Sequence, residues 1–481
     1  MSAAALTALL PLLVLAGTVV LLMLAIAVFR HRTLSTAIVL TGLAVALLMI
    51  LPASQVAPQP VTDLLLIDGY ALFYIGLLLA AALVVAVLSH GYLGGQPGLR
   101  EEYGLLLLLA TLGSAVLAAS AHFASFFLGL EILSVSLYGL IAYPRHRERS
   151  LEAGVKYLIL AAASSAFLLF GMALAYADQG TLAFQDLVLP RVTFAARPLN
   201  PLYLAGLALM TVGLGFKLAI VPFHLWAADV YEGAAAPVTA FVATVSKGGV
   251  FALLIRFLTG IGHEAYRPIF VAIAALAIAS MLAGNLLALL QRNVKRLLAY
   301  SSIAHLGYLL VAFLAGGSLG LAASTFYLVA YVVTTLAAFG VVTVLSTPDG
   351  DADDLELYQG LFWRRPGLAM VLAISLFSLA GMPLTAGFVG KLYLVAAGVG
   401  SALWLLVIVL AIGSAAGLYY YLRWIVVMYR QPGSASEPSP GPALSWAGGA
   451  VLGLLLLTLV WLGVYPAPLL DLIETVVAGL I

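Results

Sequence analysis

The sequence predicts an all-α integral membrane protein with about fourteen transmembrane helices, which include two inverted five-helix repeats that each contain a broken helix. Three observations predict this fold class. Hydrophobic residues make up 64% of the chain and charged residues 9%, whereas soluble domains carry about 25% charged residues. Apolar runs of about 20 residues, the length that crosses the hydrocarbon core of a bilayer, recur along the whole chain. Proline interrupts two of the longer runs, five spans apart.

The apolar runs define the helices in chain order. The first run is too long for the core of a signal peptide and has no basic residues before it, so we expect a retained first helix. A short apolar tail, residues 466–481, follows the last run. The predicted spans are residues 3–29, 35–52, 64–89, 103–119, 122–143, 152–176, 201–226, 236–259, 266–290, 296–315, 319–346, 366–398, 402–429 and 444–465.

Positively charged loop residues predict the orientation, because loops rich in Lys and Arg face the cytoplasm. Loops after odd-numbered spans carry twelve such residues, and loops after even-numbered spans carry three. Both termini are therefore expected to face away from the cytoplasm. The twelve are Arg30, Arg32, Arg100, Arg145, Arg147, Arg149, Arg292, Lys295, Arg296, Arg364, Arg365 and Arg430, and the three are Arg191, Arg197 and Arg267.

Two overlong spans contain a helix-breaking proline. The run 201–232 is interrupted by Pro222, and the run 366–398 by Pro383 with Gly381. Proline removes a helical hydrogen bond, and a broken helix persists at membrane depth only where protein or a water-filled cavity satisfies the freed backbone. These runs are spans 7 and 12. If spans 4–8 and 9–13 are repeats, the two broken helices occupy the same position in each repeat. Because each repeat then contains five helices, an odd number, the second copy is inverted in the membrane. A matched pair of interrupted helices predicts a transport site.

The spans suggest four segments. Residues 1–102 form an N-terminal three-helix segment, residues 103–260 the first five-helix repeat and residues 261–430 the second. Residues 431–481 comprise a linker, rich in Pro, Ser and Gly, and a C-terminal helix. We expect no soluble domain.

Ionisable residues inside the spans are the functional candidates. Four of the five lysines lie in or at the edge of predicted spans, whereas most arginines lie in loops. A charge in hydrocarbon costs several kcal/mol unless it is paired or hydrated. Lysine can release its proton when desolvated and arginine in practice cannot, so this distribution points to proton movement. The candidates are Glu131, Lys156, Lys217, Lys247, His305 and Lys391, with Pro222 and Pro383 as the helix breaks.

Structural explanations compete for some of these residues. Lys156 also fits a surface pair with Glu152, four residues earlier, or a side chain that extends to the membrane interface. His305 fits a structural role in which neighbouring hydroxyl groups bind it. The fifth lysine, Lys295, is expected in a short basic loop.

Several other kinds of site are not expected. The chain has no cysteine, which excludes disulfides, thiolate zinc sites and cysteine-ligated iron–sulfur clusters. No basic block suits nucleic acid. The acidic segment with Asp349, Asp351, Asp353 and Asp354 faintly resembles a calcium loop, but Gly360 stands at its twelfth position, where a bidentate glutamate is needed. A solvated acidic loop is expected there, with no metal or cofactor in the chain.

Four sequence motifs stand out along the chain. They are LGLE at 128–131, GLGFKLAIVPFHLW at 213–226 followed by DVYEG at 229–233, NVKRLLAYSSIAHLGY at 293–308, and LAGMPLTAGFVGK at 379–391. Together they resemble the antiporter-like subunits of respiratory complex I, and the resemblance covers nearly the whole chain. Among these subunits the chain is most similar to the N type. Its length leaves no room for the long lateral helix of the L type, and Lys391 stands where the M type carries glutamate.

The resemblance implies proton translocation from cytoplasm to periplasm across a bacterial inner membrane, coupled to quinone reduction elsewhere. It implies other membrane and peripheral subunits as partners, which would carry NADH, FMN, iron–sulfur clusters and quinone. The implied roles are a coupled pair for Glu131 and Lys217, a central relay for Lys247, a connecting group for His305, an outlet for Lys391 and an input-side group for Lys156.

Two alternatives stay open. A subunit of a multisubunit sodium/proton antiporter would show the same pattern and would be revealed by sodium-dependent flux. A membrane scaffold that transports nothing would keep full pumping after Lys217 is replaced.

Overall fold

The computed structural model describes residues 2–94, 101–187, 200–261, 267–347, 350–431 and 445–480. In this part of the chain, thirteen helices are long and apolar enough to cross a membrane, and two shorter apolar helices form one further interrupted span. The prediction of about fourteen spans is therefore confirmed. Arg100, Arg191, Arg197 and Asp349, most of the 178–200 loop and most of the 431–442 linker lie outside the described residues.

The N-terminal segment contains three spans and a small hairpin that the sequence did not predict. Residues 65–67, assigned above to the third span, instead pair as an antiparallel strand with residues 59–61. The third span consequently begins at Gly69, where the Asp68 carboxylate accepts a hydrogen bond from the Ala71 backbone N–H at 2.7 Å. The elements are α1 (Ala3–Ala8), α2 (Leu10–Val28), α3 (Arg32–Leu48), α4 (Ile50–Val56), β1 (Gln59–Val61), β2 (Leu65–Ile67) and α5 (Gly69–Gly94).

The next two groups of helices follow one plan. Each has an antiparallel pair, a long helix, a broken helix and a final long span. The first group is α6 (Glu101–Ala119), α7 (Phe123–Ile141), α8 (Glu148–Gln179), the broken pair α9 (Pro201–Leu218) and α10 (Leu225–Gly233), then α11 (Ala236–Phe241) and α12 (Lys247–Ile261) joined by a π-helical turn (Val242–Ser246). The second is α13 (Arg267–Leu289), α14 (Val294–Ala315), α15 (Gly317–Leu345), the short α16 (Leu361–Arg364), the broken pair α17 (Pro366–Ala380) and α18 (Ala386–Gly400), then α19 (Trp404–Tyr429).

The C-terminal part completes the fold. The predicted last span is α20 (Trp446–Val464), and the apolar tail forms a further helix, α21 (Ala467–Ala478). The described helices at the centre, α12, α14 and α15, are almost wholly enclosed, whereas most residues of α2 and α20 lie at least partly at the surface. Ionisable groups on the central helices are therefore shielded by protein on all sides.

The first break is stabilised by side chains from neighbouring turns. Helix α9 ends at Ala219, which has a left-handed backbone conformation (φ 57°). The indole N–H of Trp226 donates to the Phe216 carbonyl at 2.9 Å, and the Ser280 hydroxyl accepts from the Val221 N–H at 2.9 Å. These bonds satisfy backbone groups that the break removes from the helix.

The second break uses a lysine for the same purpose. Helix α17 ends at Gly381 (φ 85°), and the ammonium of Lys391 donates to the carbonyls of Leu379 and Ala380 at 3.0 and 2.9 Å. The Gly387 N–H donates to the Ser378 hydroxyl at 3.0 Å. The segment boundaries at residues 102, 260 and 430 remain predictions.

Candidate functional site

Lys217 lies in the last turn of α9, directly before the first break. Its side chain is buried, and its ammonium donates to the Ser134 hydroxyl of α7 at 2.6 Å. The rings of Tyr157 and Phe216 lie 5.6 and 5.8 Å from the same nitrogen. Aromatic faces stabilise a desolvated cation electrostatically, so one hydroxyl and two rings replace the water shell of this lysine.

Glu131 lies one turn before Ser134 on α7. Its carboxylate accepts a hydrogen bond from the Ser165 hydroxyl of α8 at 2.6 Å. Glu131 and Lys217 both lie in the part of the chain that the structure describes, and no ion pair within 4.0 Å joins them there. Glu131 therefore binds Ser165 and Lys217 binds Ser134, so the two expected partners are not paired with each other. We call this the unpaired arrangement.

Lys247 begins α12, immediately after the π-helical turn, and is 1% exposed. Its ammonium donates to the Ser302 hydroxyl of α14 at 2.6 Å, and that hydroxyl also accepts from the Tyr331 hydroxyl at 2.7 Å. The Tyr231 ring lies 5.5 Å from the ammonium nitrogen. A single π-helical turn inside an α-helix is frequent at functional sites, and here it precedes the most deeply buried of the candidate lysines.

His305 is enclosed by tyrosines on α14, α15 and α19. Its Nδ1 lies 2.8 Å from the Tyr327 hydroxyl and its Nε2 lies 3.3 Å from the Tyr421 hydroxyl. The Tyr331 ring, whose hydroxyl reaches the Ser302 site of Lys247, is centred 5.6 Å from the imidazole. The histidine therefore lies within a hydrogen-bonded polar layer that borders the Lys247 site.

Lys391 lies on the far side of this layer. Besides the two carbonyls of the second break, its ammonium lies 5.4 Å from the Tyr308 ring, and the Tyr308 ring lies 5.4 Å from the His305 ring. The Tyr308 hydroxyl in turn accepts from the Asn285 amide at 2.8 Å. The structure thus brings Lys247, His305 and Lys391 into one buried region of hydroxyl groups and aromatic rings.

Lys156 lies apart from this region. It is 44% exposed, and its ammonium pairs with Glu152 at 2.7 Å and with Asp229 of α10 at 2.8 Å. The pair with Glu152 is the surface alternative considered from the sequence. A polar surface cavity of about 150 Å³ surrounds it, lined by Arg149, Glu152, Ala153, Lys156, Asp229, Glu232 and Gly233.

Sequence reasoning missed a buried cluster around Asp351. Lys295, expected in a loop, lies in the first turn of α14 with a side chain 1% exposed, and it pairs with Asp351 at 2.6 Å. The carboxylate, 4% exposed, also pairs with Arg147 at 3.0 Å and accepts from the Tyr92 hydroxyl at 2.7 Å. The expectation of a solvated acidic loop is therefore wrong for Asp351.

The ionisation of Asp351 follows from these contacts. Burial alone would raise the pKa of its carboxyl, but Lys295, Tyr92 and Arg147 hold that pKa below its ordinary value. Because the folded-state pKa is lowered, the stabilisation that it contributes is present above the ordinary value of about 4. It is lost only as the pH falls through the lower folded-state value.

A second missed pair lies near the other end of α12. Arg256 donates to both carboxylate oxygens of Asp68, at 2.7 and 2.9 Å, and stacks over the Tyr70 ring at 4.9 Å. It fixes the start of α5 to α12. Among the described residues, no group of three or more His, Asp or Glu side chains is arranged to hold a metal ion.

The arrangement is suited to proton exchange. The side chains of Lys217, Lys247 and Lys391 are buried inside the protein, and each ammonium is held by a hydroxyl or by backbone carbonyls. Such partners bind a cation without neutralising it, unlike a carboxylate, so the lysines keep the capacity to release a proton. Fold and site together define a multi-helix membrane protein of the antiporter-like transporter class.

Comparison with known proteins supports this assignment to the antiporter-like class. The family model described as NADH:quinone oxidoreductase/Mrp antiporter, transmembrane, matches residues 120–417. Proteins named NADH-quinone oxidoreductase subunit N are similar over 98% of this chain: that of Ectopseudomonas mendocina (strain ymp), 50% identical over 96% of its length, and that of Methylococcus capsulatus (strain Bath), 49% identical over 95%. The chain belongs to this family, the N subunits of NADH-quinone oxidoreductase.

A solved structure shows the same architecture. A chain of respiratory complex I from Thermus thermophilus with bound aureothin superposes with a TM-score of 0.82 at 34% identity, over 96% of this chain and 98% of that one. The family and the fold expected from the motifs are thereby confirmed. The roles of the individual site residues remain predictions.

Proposed function

We propose that this chain is a proton-translocating membrane subunit of NADH:quinone oxidoreductase. It moves protons from cytoplasm to periplasm through a lateral relay of Glu131, Lys217, Lys247, His305 and Lys391. Quinone reduction in partner subunits drives it, and those subunits carry NADH, FMN, iron–sulfur clusters and quinone. The observation that carries the proposal is that three lysines are buried at successive positions across the two groups of helices, each with uncharged oxygen partners.

The relay can be driven electrostatically. Packed helices lie about 8–10 Å apart, and two unit charges about 8 Å apart attract or repel by about 2 kcal/mol at an effective dielectric constant of about 20. That energy changes a protonation equilibrium about 30-fold, since about 1.4 kcal/mol corresponds to a factor of ten. A charge change at one site can therefore drive proton uptake or release at the next, with no direct contact.

Glu131 is the group that would couple this relay to its neighbours. In the unpaired arrangement its charge is held by Ser165, while Lys217 is held by Ser134. A shift that brings the two together would stabilise the charged lysine, and their separation would favour proton release towards Lys247. Lys156, on the surface, would serve the input side through Asp229.

The test uses the intact complex in sealed vesicles. NADH oxidation is followed together with proton uptake into the vesicles, for the wild type and for Lys217→Met. We expect the variant to assemble but to take up fewer protons per electron. An unchanged ratio would contradict the proposal and favour a scaffold that transports nothing.

A sodium/proton antiporter subunit is the second candidate, because the matching family model includes the Mrp antiporters. The same vesicles distinguish the two functions. Proton uptake that is unaffected by removal of sodium supports the proposal, whereas uptake that requires a sodium gradient favours the antiporter.

A further inference from the structure

Two consecutive residues in the first turn of α14 bind the same neighbouring element, α10 and the residue that follows it. Arg296 pairs with Asp229 and Glu232 of α10, each at 2.8 Å. The ammonium of Lys295 donates to the Ala234 carbonyl at 2.7 Å. Ala234 follows the last residue of α10, so α14 is fixed to the short link between α10 and α11.

Asp351 holds Lys295 in this position. Its carboxylate lies 2.6 Å from the Lys295 ammonium and is also bound by Arg147 and Tyr92. Arg147 immediately precedes α8, and Tyr92 lies near the end of α5. One buried carboxylate thus joins three separate helices through charge-assisted hydrogen bonds, which are about twice as strong as neutral ones.

The link at Ala234 is also fixed by α8, through the preceding residue Gly233. The Ser150 hydroxyl of α8 donates to the Gly233 carbonyl at 2.6 Å. A Cβ at Gly233 would lie 2.5 Å from the Arg149 carbonyl oxygen, so the α10 backbone is packed directly on α8. The link has little freedom to move unless the contacts from α14 change.

The held elements are those that carry the Lys247 site. After Ala234, the chain continues through α11 and the π-helical turn to Lys247. On α14, Ser302 lies seven residues, or two helical turns, after Lys295 and on the same face. The distance between Lys247 and Ser302 therefore depends on how α14 is held against the link.

We infer that Lys295 and Asp351 are positioning residues for the lysine relay. By fixing the α10–α11 link against the first turn of α14, they set the contact between the Lys247 ammonium and the Ser302 hydroxyl. This inference rests on the proposed function. It adds two residues, neither of which touches the relay groups, whose charge and reach determine how efficiently protons are pumped.

The experiment measures protons taken up per electron by the intact complex in vesicles, together with the amount of assembled complex. A purely structural defect lowers the amount of complex and leaves the ratio unchanged. Asp351→Glu keeps the charge but alters its reach, and we expect the ratio to fall about twofold, within the range seen for changes along packed networks. Asp351→Asn should lower it at least as much.

Two matched variants serve as controls. Lys295→Arg keeps donors for both Asp351 and the Ala234 carbonyl, so the number of protons taken up per electron should stay close to the wild-type value. Glu356→Gln removes an exposed carboxylate from the same loop and should leave the ratio unchanged. If Asp351→Asn does not assemble, Asp351→Glu and Lys295→Gln decide the question by the same ratio.

Lys247→Met separates the two hypotheses. If Lys247→Met lowers the ratio while Asp351→Glu and Lys295→Gln both keep it at the wild-type value, the positioning role is wrong and the relay stands. If Lys247→Met itself leaves the ratio unchanged, the proposed function fails first.

Discussion

The ammonium of Lys247 lies 2.6 Å from the hydroxyl of Ser302, and this contact joins α12 of the first group of helices to α14 of the second. The same hydroxyl accepts from Tyr331 on α15, so one small side chain connects three central helices. A serine binds the lysine without cancelling its charge. The contact therefore holds the ammonium without an opposite charge, which is what the proposed relay requires.

Ser302→Ala tests this contact. The variant leaves the buried ammonium without its hydroxyl partner, and loss of one hydrogen bond worth about 1 kcal/mol corresponds to about a fivefold change in an equilibrium or rate. We expect proton pumping in vesicles to slow by about fivefold with assembly preserved. Ser375→Ala is the matched control, because Ser375 is equally buried but donates only to the Val371 carbonyl of its own helix. Equal effects of the two variants would contradict a specific role for Ser302.

Ser134→Ala should change the position of Lys217. Without the Ser134 hydroxyl, the ammonium loses its hydrogen-bond partner, and the Glu131 carboxylate lies one turn away from that position on α7. We expect a structure of the variant complex to show Lys217 and Glu131 in an ion pair within about 4 Å, the usual limit for such pairs. A lysine that stays in place would show that the unpaired arrangement does not depend on the serine.

Gly381→Ala should disrupt the second break. A Cβ at this position would lie 2.7 Å from the Lys391 Cδ, and the residue has φ +85°. A left-handed conformation costs a non-glycine residue about 1–2 kcal/mol, so we expect lower thermal stability together with displacement of Lys391 and weaker pumping. Gly453→Ala has open space around it and should leave both quantities nearly unchanged. Wild-type pumping by Gly381→Ala would mean that pumping does not depend on the position of the Lys391 side chain.

Lys156→Met separates surface pairing from a role in proton input. Because the lysine is partly exposed and Arg296 also binds Asp229, we expect assembly and thermal stability close to wild type. Pumping should fall, but less than in Lys247→Met. If pumping is unchanged at low ionic strength, where surface charges are least screened, Lys156 belongs to a structural ion network alone.

Features that depend on the local chain could be predicted from the sequence. Hydropathy locates the spans because each must match the bilayer. Pro222 and Pro383 locate the breaks because proline cannot continue a helical hydrogen-bond pattern. The burial of Lys217, Lys247 and Lys391 followed from their position inside such spans, and the structure places all three inside the protein.

Features that depend on partners distant in sequence could not be predicted from the sequence. Lys295 is flanked by basic residues and resembles a loop residue, and only packing of α14 against the Asp351 segment buries it. The serines that hold Glu131, Lys217 and Lys247 are ordinary residues in apolar helices, with no pattern to single them out. The short β-hairpin has too few residues to show the alternation that identifies a strand.

Lys247→Arg tests the central claim most directly, with protons taken up per electron as the measurement. Arginine keeps the positive charge and can still donate to Ser302, but it does not release its proton in proteins. We predict that a fully assembled Lys247→Arg complex pumps as poorly as Lys247→Met. A wild-type ratio in the arginine variant would contradict the claim that this side chain gives up and regains a proton during turnover.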